Sequence, residues 1–145
     1  PRAEECTPAA AALAALRELW VAPPDTLAVG TQWADSLEFA TCRDSVPITV
    51  RSARSFRVLG AESRLGQTLV LVERRSATLL SGSGSQFGEP IELEAEGEGT
   101  MQLWLSLDGG AVVEGKGDSE LRVRMTGRRR TQQLVQRASL SISRP

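Results

Sequence analysis

Ile91-Glu92-Leu93-Glu94-Ala95-Glu96-Gly97-Glu98-Gly99-Thr100-Met101-Gln102-Leu103-Trp104-Leu105-Ser106-Leu107 is the stretch on which the fold turns. Ile91, Leu93 and Ala95 alternate with Glu92, Glu94, Glu96 and Glu98. Met101, Leu103, Leu105 and Leu107 then alternate with Thr100, Gln102, Trp104 and Ser106. A period of two sends successive side chains to opposite faces of a strand, so one face is apolar and the other wet. Gly97-Glu98-Gly99, between the two halves, reads as the turn of a hairpin.

The same period extends in both directions. Upstream it runs through Trp33, Leu37 and Phe39, then Val46, Ile48 and Val50, then Phe56 and Val58. Pro47 marks an edge strand or a strand start. Thr68-Leu69-Val70-Leu71-Val72 is apolar on both faces, as a central strand requires. Downstream, Asp108-Gly109-Gly110 reads as a turn, followed by Val112-Val113. Leu121, Val123 and Met125 stand opposite Arg122 and Arg124, and a last strand carries Leu134, Ala138, Leu140 and Ile142. Ser81-Gly82-Ser83-Gly84-Ser85 reads as a loop within the domain.

One segment departs from this pattern. Thr7-Pro8 is a helix start, and Leu13, Leu16 and Trp20 recur at helical spacing before Pro23-Pro24 stops the run. So short a helix is marginal alone, so this apolar stripe, Trp20 included, is expected to dock on the sheet. The expected fold is mainly β, a single domain over residues 1–145. It has a helix over 7–21 and eight or nine short strands over 32–143, meandering into a barrel or a strongly curved sheet.

Composition narrows the chemistry. The chain of 145 residues is 41% hydrophobic, enough for one core. No run approaches the roughly 20 apolar residues of a membrane-spanning helix. A formal net charge of −1 gives a nucleic-acid partner no global support. Histidine and tyrosine are absent, and Lys116 is the one lysine among 17 basic residues. Without histidine neither a conventional triad nor an ordinary zinc site can be assembled, so no catalytic, metal or cofactor residues are expected.

Gly110-Ala111-Val112-Val113-Glu114-Gly115-Lys116 approximates a phosphate-binding loop, but Gly117 stands where a hydroxyl is needed and no helix follows. The glutamates at 92, 94, 96 and 98 could take calcium or a basic partner, and two of them could form a carboxylate pair for hydrolysis. A solvated face paired across to Arg122 and Arg124 is the favoured reading. Arg128-Arg129-Arg130 is open to two readings of equal standing: a hairpin tip that meets lipid phosphates or an acidic protein surface, or a solvated turn. Trp104, on the polar face of its strand, is either covered by the helix or offered to a partner, and is the first interface candidate. Cys6 and Cys42 are read as a disulfide tying the N-terminal arm to a strand, which would imply an oxidising compartment. Opening on Pro1, the chain is read as a processed product with further residues ahead of it.

Val29-Gly30-Thr31-Gln32-Trp33-Ala34-Asp35-Ser36, Ser55-Phe56-Arg57-Val58-Leu59-Gly60 and Trp104-Leu105-Ser106-Leu107-Asp108-Gly109-Gly110 resemble exported bacterial β-rich proteins. That resemblance implies no catalytic residues. The layout of a helix with a curved sheet also looks like the periplasmic lipoprotein-carrier folds. The overall character resembles membrane-extrinsic subunits of bacterial photosynthetic reaction-centre and light-harvesting complexes. The expected role is therefore a non-catalytic, extracytoplasmic domain, peripheral to the membrane and docked on subunits of a membrane complex. A lipid or lipoprotein carrier is the alternative, and a small hydrolase the third.

Overall fold

The computed structural model describes residues 6–43, 45–107 and 111–143. It consists of α1 (Pro8–Leu19) followed by β1 (Gln32–Arg43), β2 (Val46–Arg64), β3 (Gln67–Gln86), β4 (Glu89–Ser106), β5 (Val112–Gly127) and β6 (Thr131–Ser143). The strands form one antiparallel sheet in chain order, β1-β2-β3-β4-β5-β6. The mainly β, meandering architecture is the one the alternation predicts, with fewer and longer strands. The sheet is curved and does not close into a barrel.

The curl is visible in one side-chain contact. Six strands laid flat would put β1 and β6 about 24 Å apart. Yet the Arg43 guanidinium donates to the Gln136 side-chain oxygen, from β1 to β6. The two edges must therefore turn their shared face inward.

That inner face carries the core in two clusters. One gathers Phe39, Val46, Ile48, Val50, Leu93 and Val123, with Ala14 of α1. The other gathers Phe56, Val58, Val72, Met101, Leu103 and Leu105, with Val21. Trp33 stacks on Phe56 at 4.9 Å beside the second cluster. Its indole N–H is buried without a hydrogen-bond partner among the described residues.

Two expected turns are strand instead. Residues 97–99 lie inside β4, with Gly97 opposite Leu121 of β5 and Thr78 of β3. A Cβ at Gly97 would lie 2.6 Å from the Glu120 carbonyl oxygen, so its glycine permits close strand approach where the sheet bends. Residues 81–85 likewise lie within β3, where a Cβ at Gly82 would lie 2.1 Å from the Pro47 carbonyl oxygen. Glycine here serves curvature rather than reversal. Pro47 is the second residue of β2, a strand start rather than an edge. The Asp108-Gly109-Gly110 turn lies outside the described residues.

The helix begins as expected, with the Thr7 hydroxyl accepting from the Ala10 N–H and Pro8 opening the first turn. Its orientation is the reverse of the expectation. Ala14 is buried, and Ala10 and Glu18 are partly covered, whereas Leu13, Leu16 and Trp20 are 50%, 65% and 69% exposed. The face toward the sheet is the one with small side chains, because a leucine ridge there would hold the helix axis off the strands.

A disulfide joins Cys6 to Cys42, with Cα atoms 4.9 Å apart, and fixes the start of α1 to the end of β1. Closing a loop with a sequence separation of 36 restricts the unfolded chain. Cys42→Ser is expected to lower unfolding stability by up to about 4 kcal/mol, read from the urea midpoint against oxidised wild type. Reduction should move the wild type the same way and leave the variant unchanged.

Candidate functional site: the helix seat on the inner face

Arg54 of β2 and Arg74 of β3 lie in phase with the buried apolar residues of their strands, so both guanidinium groups are committed to the inner face. They converge on one acceptor. Arg54 Nη1 donates to the Glu18 carbonyl oxygen at 3.0 Å and Arg74 Nη1 donates to the same oxygen at 2.6 Å. This carbonyl lies in the last turn of α1, where helical carbonyls lack intrahelical donors and the helix dipole is negative.

Arg54 is further held by Asp35 of β1, with Nε on Oδ1 at 2.7 Å and Nη2 on Oδ2 at 2.5 Å. The fork is bidentate and the Arg54 side chain is fully buried, while Asp35 keeps some contact with water. The Arg54 guanidinium also lies 5.3 Å from the Phe56 ring centre. Arg74 forms no ion pair with a described residue. Burial pushes its pKa below the usual guanidinium value, an effect opposed by Glu18 and Asp35 and reinforced by Arg54.

A cavity of about 440 Å³ lies alongside this seat. Ala14 and Ala15 form its helical wall and Phe39, Val50 and Leu80 its apolar floor, while its charged lining is mixed, with Arg74 and Arg43 alongside Glu18, Glu98 and Glu120. A larger hollow of about 1150 Å³ lies mostly on the opposite, outer face. Part of its charged rim is already paired, with Glu120 bound by Arg137 at 3.0 Å and by Arg122 at 3.6 Å. The smaller cavity brings apolar residues up to a guanidinium that forms no ion pair with a described residue, and is the better candidate for selective binding.

The residues singled out by sequence fall in separate places. Trp104 is 7% exposed on β4, so it is covered rather than offered to a partner. Its cover is not the helix: Arg64 and Lys116 lie 5.3 and 5.5 Å from its ring centre. Arg128, Arg129 and Arg130 form the exposed β5–β6 hairpin tip, closed by the Gly127 N–H donating to the Arg130 carbonyl at 3.0 Å. The glutamate row faces outward as expected, with Glu94 paired to Arg124 and Glu96 to Arg122. Residues 112–116 lie in β5, an extended strand and not a phosphate loop.

Among the described residues no group of three potential metal ligands comes together, and no helix is long and apolar enough to cross a membrane. No family model, curated protein or solved structure matches the chain.

Sequence reasoning missed Arg54, Arg74 and Asp35. The signal was present in Val46, Ile48, Val50, Ser52, Arg54, Phe56 and Val58, where one arginine occupies an apolar phase. Asp35→Asn is expected to cost about 3 kcal/mol, the low end for breaking a buried pair, because Asp35 is partly wet. Urea unfolding measures it. Asp35→Asn combined with Arg54→Met should recover part of the loss, since no buried charge is then left unpaired.

Proposed function

We propose that this protein is a non-catalytic, extracytoplasmic accessory domain that docks on a membrane protein complex through the outer face of α1. The observation that carries the reading is the outward exposure of Leu13 and Leu16 on α1 and of Trp20 at its C-cap, while Ala10, Ala14 and Glu18 face the sheet. The helix is pinned at its start by Cys6–Cys42 and at its end by the two arginines on Glu18. A clamped helix has little freedom left to lose on association, so an aromatic and two leucines presented this way suit a binding hot spot.

The Cys6–Cys42 bridge supports an oxidising compartment. A reaction-centre and light-harvesting assembly is the instance of such a complex we put forward, on resemblance of overall character. A second reading, a carrier for an amphiphile, is favoured by one observation. The 440 Å³ cavity joins an apolar floor to Arg74, which forms no ion pair with a described residue although Glu18 and Asp35 lie within its field.

Leu16→Ser combined with Trp20→Ser should fold as wild type by circular dichroism, since both side chains face water. Recovery of membrane-complex subunits in stoichiometric amounts from native membranes, quantified by mass spectrometry, should fall on the order of tenfold or more. Equal recovery by the variant and the wild type would overturn the docking reading. Lipid bound stoichiometrically to protein purified without detergent would favour the carrier.

A further inference from the structure

Phe87 occupies a position where a large apolar residue serves no folding purpose. It forms the β3–β4 hairpin tip with Gly88, is 99% exposed, and has φ 51°. A two-residue hairpin loop with both φ values positive favours asparagine, aspartate and glycine. A side chain with a Cβ in the left-handed region is disfavoured, and an exposed phenyl ring recovers nothing by burial. The chain accepts both penalties at this tip.

The topology sets a second feature beside it. Ile91 of β4 is level with Gly84 of β3 on one side and with Gly127 of β5 on the other. The tip at residues 87–88 and the tip at 128–130 therefore leave the same end of the sheet, about two strand spacings, or roughly 10 Å, apart. Phe87 stands farther past that level than Arg128-Arg129-Arg130 by one to two residues' rise, roughly 5 Å. Arg128, Arg129 and Arg130 are all exposed and pair with no described carboxylate. The opposing charges at this end of the sheet are Glu89, at the base of the Phe87 hairpin, and Glu92, level with Thr126 two residues before Arg128.

We propose that this end of the sheet is a peripheral site for an anionic lipid bilayer: the Arg128–Arg130 tip sits at the phosphates and Phe87 enters the acyl boundary. The depth order is the one the two side-chain types require, with the aromatic wedge ahead of the cations. Guanidinium groups make forked hydrogen bonds to phosphate oxygens, and the anionic surface potential draws the triplet in. A single wedge and three charges give a reversible contact, as suits a domain positioned on a membrane complex.

The site deepens the accessory-domain reading but does not use the helix face, so the two can fail separately. Sedimentation with vesicles of phosphatidylcholine, with and without 30% phosphatidylglycerol, tests it on the intact chain; that fraction is chosen to be about that of an anionic membrane. Binding should require phosphatidylglycerol and weaken as salt is raised from about 0.05 to 0.5 M. Replacing Arg128, Arg129 and Arg130 together by Gln should weaken it by roughly a hundredfold.

Phe87→Asn is the decisive variant. Asparagine suits a positive φ, so its melting temperature should stay level or rise while vesicle binding falls several-fold. A loss of stability would mean that Phe87 holds the fold, and unchanged vesicle binding would mean that it does not insert; either overturns the proposal. Equal binding to neutral and anionic vesicles would also overturn it. The Leu16→Ser, Trp20→Ser variant should bind vesicles as wild type does, whatever becomes of the docking reading.

Discussion

Two arginines from adjacent strands share one carbonyl oxygen of α1, and much of the molecule is arranged so that they can. A helix of 12 residues has little stability of its own. Its last-turn carbonyls need donors, and buried guanidinium groups need acceptors. Seating Glu18 over Arg54 and Arg74 satisfies both requirements, and Asp35 supplies the one full counter-charge. The seat depends on register. Arg54 pairs with Ser76 and Phe56 with Arg74, so a slip of one residue between β2 and β3 would turn a guanidinium to the outer face.

The seat also accounts for the alanine-rich inner face of the helix. The guanidinium groups reach Glu18 only if the helix axis lies close to the strands, and Ala10 and Ala14 allow that approach where Leu13 and Leu16 would not. Sheet curvature follows the same logic. Glycines at 82 and 97, where a side chain would strike a neighbouring backbone, let the strands bend around the helix until Arg43 meets Gln136. The cavity is what remains between a curved sheet and a thin helix.

Much of the fold was legible because alternation is a direct record of which face is buried. Ile91 to Leu107 and its flanks gave the class, the antiparallel meander, the outward glutamate row and the tip at Arg128–Arg130. The failures share a physical cause. Glycine pairs at 82–84 and 97–99 look alike in sequence whether they reverse a strand or bend it, and what distinguishes them is a neighbouring backbone 2.1 Å from the missing Cβ of Gly82 and 2.6 Å from that of Gly97. The helix was read as burying its large side chains, yet its partner surface carries charge, and small residues fit charge at close range. Trp104 was read from its polar phase, but Arg64 and Lys116, from other strands, cover it. Pairings across strands are what a local period does not encode.

Residues that break local rules without repaying the fold have to be weighed with their electrostatic surroundings. Leu65 and Phe87 make the comparison, since both are exposed apolar residues with positive φ at the tips of hairpins. Leu65 leaves the sheet at the end where Arg64 is bound by Glu62 and Glu114, so the local cation is already neutralised. Phe87 leaves at the other end, alongside three arginines that no described carboxylate pairs. The same backbone penalty is thus set in two electrostatic surroundings, and only at the Leu65 end is the neighbouring cation paired with described carboxylates. Position in the sheet, rather than residue type, is what sets the two tips apart.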